Sequence, residues 1–157
     1  MSPSAYISVL SASVLCFEKS FSSISVFIKV SSQYSEISEI HIRRFVINSS
    51  VQPLLENSIM HSFEPNKPGQ KIAISIKKET ENSIIITVSD NGKGIDKEKL
   101  KKIQNSLKDE EPSSKHIGIK NVHLRYRLLY GEEFGIIAIE SDNTGTRVHL
   151  RTPYHKF

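Results

Sequence analysis

Asp90, Gly92 and Gly94, spaced as D-x-G-x-G within Ser89-Asp90-Asn91-Gly92-Lys93-Gly94-Ile95, combine a carboxylate with two residues that lack a Cβ. A carboxylate is a fixed hydrogen-bond acceptor suited to an amino group on a ligand. Glycine lets backbone approach a ligand closely and adopts positive φ without strain. An Asn-Gly turn carrying a solvated aspartate satisfies the same pattern. Three further features stand along the chain: Asn57 between Glu56 and His61, Gly118 ahead of Ile119 and Lys120, and Gly145-Thr146. Asn57 and His61 are four apart, which on a helix stacks one above the other. Amides at a glycine-led helix start favour an anion.

These residues need elements to hold them. Ser83-Ile84-Ile85-Ile86-Thr87-Val88 is β-branched and reads as a buried strand ending at Asp90, with Ile84 to Ile86 in the core. Before it, Lys71 to Thr80 alternates, with Ile72, Ile74 and Ile76 on one face, so the two runs form an antiparallel hairpin turned at Glu81-Asn82. Pro53 fits the first turn of a helix. That helix directs Leu55, Ile59 and Ser62 or Phe63 inward. Residues 63–70 read as a loop. Asp96 opens a charged helix over Lys97 to Leu107, and Lys108 to His116 is a polar loop holding Pro112. Ile119, Val122, Tyr126 and Leu129 follow helical spacing up to Gly131. Ile136 to Glu140 and Thr146 to Leu150 are strands around an Asp142-Asn143-Thr144-Gly145 turn.

From Val51 the order is therefore helix, two strands, short helix, loop, helix, two strands. This predicts an α+β two-layer sandwich, its mixed and mostly antiparallel sheet covered by helices on one face. Residues 1–50 are serine-rich, without glycine, and carry a partly alternating run from Ser23 to Val30. They read either as a poorly ordered arm or as elements packed on the main domain, which spans 51–157.

The length of 157 residues suits one domain. The net charge of +4 comes from lysines scattered among acids. That distribution favours a small anionic ligand over a nucleic-acid groove. The lone Cys16 lies in an apolar run and forms no internal disulfide, which fits a reducing compartment. Residues Tyr6 to Phe17 lack both the basic lead and the clean apolar core of a signal peptide. No run is long and apolar enough to span a bilayer.

Taken together, the boxes resemble the ATP-binding domain shared by DNA gyrase, Hsp90, histidine kinases and MutL (the GHKL superfamily, with its Bergerat fold). They are most similar to the catalytic domain of bacterial sensor histidine kinases. Pro53 to His61 resembles the N box, Asp90 to Ile95 the G1 box, Ile117 to Val122 with Arg125 the G2 box, and Gly145-Thr146-Arg147-Val148 the last glycine-threonine motif. The likeness runs over roughly residues 50–153.

The resemblance implies that Asp90 accepts the adenine amino group with Thr146 in support. Gly92, Gly94 and Ile95 then line the nucleotide, and Gly118, Ile119 and Lys120 offer amides to the phosphates. Asn57 holds Mg²⁺, Glu56 acts as base or orients the metal shell, and His61 borders the phosphate end. Arg125 either supports its helix or reaches a phosphate, and the polar loop closes as a lid. The implied activity is that of an ATP-dependent protein histidine kinase, passing the γ-phosphate to a histidine on a separate dimerisation domain and so, indirectly, to a response regulator.

Three departures qualify this. His116 stands where the G2 box usually has a glycine. His41 lacks the Pro and Phe neighbours of a phosphoacceptor. Neither a sensor nor a membrane span is written in the chain. The expectation is an isolated, monomeric, cytoplasmic catalytic domain whose parent kinase is membrane-anchored. The alternatives are a degenerate interaction module of the same fold without productive kinase activity, and an anti-sigma-factor-type serine kinase.

Overall fold

The computed structural model describes residues 6–7, 24–30, 51–64, 67–108 and 117–153. Six strands form one sheet in the order β1-β2-β3-β4-β6-β5. They are β1 (Tyr6–Ile7), β2 (Ile24–Val30), β3 (Gln70–Lys78), β4 (Ser83–Asp90), β5 (Gly135–Asp142) and β6 (Gly145–Pro153). Among the described strands β2 and β3 run parallel and the other neighbouring pairs are antiparallel. Among the described residues, three helices accompany the sheet: α1 (Gln52–Asn57), which continues as a π-helical turn (Ser58–Ser62), α2 (Lys97–Ser106) and α3 (Ile117–Tyr130). The mixed, mostly antiparallel sheet with helices on its inner face is the expected α+β sandwich. Among the described residues no helix is long and apolar enough to cross a membrane.

Strand alternation puts every second residue on the helix side. Registers then line those residues into rows across β3, β4, β6 and β5. One row is Ile76, Ile86, Leu150 and Ile136; the next is Ile74, Val88, Val148 and Ile139. All eight are buried, with Leu54, Ile59, Phe63, Val122 and Tyr126 of the helical layer packed in the same core. The third row is Ile72, Asp90, Thr146 and Ser141. The inward face of the sheet thus turns from hydrocarbon to oxygen at one end, and the D-x-G-x-G turn begins there.

Two expectations are corrected. Ile85 is half-buried, because a period of two sends it to the opposite face from Ile84 and Ile86. Leu129 is 63% exposed. The buried face of α3 is centred between Tyr126 and His123, and at about 100° per residue Leu129 falls on its flank. Tyr130, 43% exposed, meets Tyr126 at a tilt and Phe134 edge-on, with ring centroids 5.4 and 6.3 Å away. Along β5, Ile136 and Ile139 are both buried although three apart, because a bulge between Ile136 and Ala138 leaves Ile137 out of register.

At the far end of the sheet the Arg151 guanidinium grips Glu79 through Nε (2.6 Å) and Nη2 (2.5 Å). That pairing holds the Glu79 carboxyl below its usual range. Within the core, His123 accepts the Ile136 N–H at Nδ1 (3.1 Å). Its affinity for a proton is lowered by burial first and then by the Arg127 guanidinium. The unfolded chain therefore takes up a proton below about pH 6.5 that the folded chain resists, and stability falls as pH drops through that value. Urea melts across pH 5 to 7.5 are expected to show this loss, and His123→Gln, which keeps an acceptor without the titration, is expected to flatten it.

Candidate nucleotide-binding site

Asp90 ends β4 at the polar edge of the core and is half-buried. Its Oδ1 accepts the Gly92 N–H (3.0 Å) and its Oδ2 accepts the Ser62 hydroxyl (3.1 Å). An ionised carboxylate has about four acceptor positions, so two remain for a ligand amine. The turn beyond it is tied on three sides. Asn91 accepts the Lys71 N–H at Oδ1 (2.7 Å) and donates to the Gly69 carbonyl (2.9 Å), anchoring the turn to the start of β3. The Lys93 N–H donates to the Ser62 carbonyl (3.0 Å). The Ile95 N–H donates to Ser141 Oγ (2.8 Å), which also meets Thr146 Oγ1 at 2.9 Å. Thr146 is buried directly across from Asp90. Gly94 has φ +72°, and a Cβ there would overlap the Asp142 carbonyl. Asp96 then caps α2, accepting the Lys99 N–H at 2.8 Å.

The N-box residues lie on α1. Asn57 is half-buried, and its Nδ2 donates to the Pro53 carbonyl (2.8 Å). With the amide nitrogen engaged, Oδ1 is the atom left for a cation, and oxygen is the donor that magnesium prefers. Among the described residues no group of three His, Cys, Asp or Glu side chains converges. An ion here would therefore draw on Asn57 Oδ1, ligand oxygens and water. Gly118, in the first turn of α3, sits directly against the Asn57 carboxamide, where a Cβ would collide with it. The first N–H groups of α3 have no acceptor within the helix, so a polyphosphate suits this end. Glu56, half-buried, accepts from Gln52 Nε2 (2.9 Å).

The expected stacking of His61 on Asn57 is altered by the π-helical turn. Its hydrogen bonds span five residues, not four. The wider turn buries Ser62 and leaves Met60 and His61 exposed, so His61 stands outside the network around Asp90. Ile119 packs partly buried against the core, the Lys120 side chain is buried and Arg125 is exposed. Of the expected lid, Lys108 to His116, all but Lys108 lies outside the described residues, His116 included.

The structure therefore brings together Asn57 with Gly118, and Asp90 with Gly92, Thr146 and the Ile95 amide. Sequence reasoning missed Ser141 and Asn91 as supports and saw Ser62 only as core-facing. A small polar residue on an apolar helix face was the available signal for Ser62. Nothing local links Ser141 to Ile95, 46 residues earlier.

Several known proteins are similar to this chain. The sequence model of the family described as histidine kinase-, DNA gyrase B- and HSP90-like ATPase matches residues 46–156. The sensor histidine kinase/phosphatase LytS of Staphylococcus aureus is 34% identical over 106 residues, which is 68% of this chain and 18% of that protein. The chain thus spans about one fifth of the length of these relatives. Among solved structures, the blue-light activated histidine kinase EL346 of Erythrobacter litoralis superposes with TM-score 0.55 at 19% identity, over 90% of this chain and 39% of that one. The mycobacterial sensor histidine kinase MprB gives 0.50 at 12% identity, over 99% and 100%. These last two likenesses concern the fold alone. By the match over residues 46–156, the chain belongs to the histidine kinase-, DNA gyrase B- and HSP90-like ATPase family.

Proposed function

We propose that this chain binds ATP with Mg²⁺ and presents the γ-phosphate to a histidine on a separate dimerisation and phosphoacceptor domain, as the catalytic domain of a two-component kinase. One observation carries the proposal: α1 and its π-helical turn reach both halves of the site, Ser62 on Asp90 and Asn57 on Gly118. Adenine and phosphate elements are thereby held by one continuous helical segment. Asp90 accepts the adenine amine, with Thr146 in support. Gly92, Gly94 and Ile95 border the base, and the amides of Gly118, Ile119 and Lys120 take the phosphates. His61 borders the phosphate end from outside. Magnesium on Asn57 Oδ1 would neutralise phosphate charge. Phosphoryl transfer depends chiefly on positioning and electrostatics, so Glu56 serves by orienting the metal shell or accepting the acceptor's proton.

The catalytic unit is 51–157, preceded by the serine-rich arm whose β2 lies beside β3. The reading places the unit in the cytoplasm, with sensing and membrane anchoring carried by other parts of a longer kinase and a response regulator downstream.

Calorimetry with and without Mg²⁺, followed by incubation with γ-labelled ATP and a histidine-bearing dimerisation domain, tests this. Binding in the micromolar range, about −7 to −8 kcal/mol, and label confined to the added histidine are expected. No ATP binding, or label on a histidine of this chain itself, would overturn the reading. A Gly118→Ala variant sharpens the metal assignment. The added methyl meets the far end of a flexible side chain, so Asn57 turns away and releases the Pro53 carbonyl while the backbone stays. The expected cost is about 1 kcal/mol of stability, together with loss of the Mg²⁺-dependent gain in ATP affinity.

A further inference from the structure

We propose that Ser62 is a positioning residue that makes the pocket selective for a ligand amine, and hence for adenine over a 6-keto purine. The inference rests on the nucleotide-binding reading above. Ser62 is only 7% exposed and is fixed in three ways. Its hydroxyl donates to Asp90 Oδ2 (3.1 Å), its carbonyl accepts the Lys93 N–H (3.0 Å), and its Cβ and carbonyl fill the space over Gly92.

Carboxylate torsions are broad and roughly two-fold, so an aspartate held by one donor would swing. With Gly92 on Oδ1 and Ser62 on Oδ2, the plane of Asp90 is set before any ligand arrives. The serine hydroxyl has a single proton, and Asp90 uses it. What Ser62 then offers a ligand is lone pairs alone. The head of the site becomes a continuous acceptor surface. It welcomes the two N–H groups of an exocyclic amine and opposes a keto oxygen at the same position. A hydroxyl turned round to serve a keto group would abandon Asp90, which makes the discrimination two-sided.

The test compares ATP with purine riboside 5′-triphosphate, which lacks the 6-amino group, binding to the parent chain and to Ser62→Ala. The variant is expected to bind ATP about tenfold more weakly, since a hydrogen bond to a charged group is lost. Its affinity for the analogue is expected to stay within about twofold of the parent. Ser62→Cys, close in shape with a weaker donor, keeps the experiment informative should alanine loosen the turn, and the same ATP-selective loss is expected of it. Equal losses for both nucleotides would reduce Ser62 to a structural contact and overturn the inference, as would no loss at all. A parent that bound neither nucleotide would overturn the nucleotide-binding reading, and this inference with it.

Discussion

Asp90→Asn is expected to weaken ATP binding by about 100-fold while leaving the fold intact, and the asymmetry follows from the hydrogen bonds of this aspartate. The Gly92 N–H donates to Asp90 Oδ1, so the amide oxygen of an asparagine takes that place. The amide nitrogen then lands where Oδ2 stood, beside Ser62. A serine hydroxyl can rotate from donor to acceptor, so the internal bonds survive and thermal melting should move by no more than a few degrees. A ligand amine arriving at the same point finds a donor facing a donor, and a hydrogen bond to a charged acceptor becomes a repulsion. Calorimetry of ATP beside a melting curve checks both halves. A large fall in melting temperature would mean that Asp90 is a structural residue, and unchanged affinity would remove it from the adenine contact.

Gly94→Ala is expected to do the reverse, costing stability and binding together. Gly94 sits at φ +72°, where an L side chain is strained, and the atom its Cβ would meet is the Asp142 backbone carbonyl. Left-handed strain costs about 1–2 kcal/mol, and a backbone carbonyl cannot swing aside as a side-chain tip can. The turn must move as a body. That breaks the Ile95 to Ser141 bond and, through Ser141, disturbs Thr146. A total of about 3 kcal/mol is expected, read as a fall in melting temperature of about 10 °C, with ATP binding lost in parallel. A melting temperature within a degree or two of the parent would show that the turn is looser than its contacts imply.

Much of this architecture was legible along the chain. The alternation of Ile72, Ile74 and Ile76 identified a one-sided strand, and the inward face it named is the buried one. Pro53, Asp96 and Gly131 marked helix ends because each acts on its own backbone or on groups within a turn of it. The pattern failed where the register is not a simple period. Leu129 lies on the flank of the α3 stripe, and position on a helix matters only relative to what the helix packs against. Ile136 and Ile139 share the core through a bulge, and a bulge is a property of two strands together.

The site divides in the same way. Chemical identity was local: a carboxylate followed by glycines, an amide on a helix and glycines at turns can be read from residue type and spacing, because each acts within a few residues of itself. The tertiary fold decided which of them meet and what holds them. Strand registers put Asp90 opposite Thr146 and Ser141, and a π-helical turn brought Ser62 under the carboxylate. The Gly118 backbone came to rest on Asn57. These pairings depend on hydrogen-bond ladders and side-chain packing between segments tens of residues apart, and neither leaves a trace in the residues on either side.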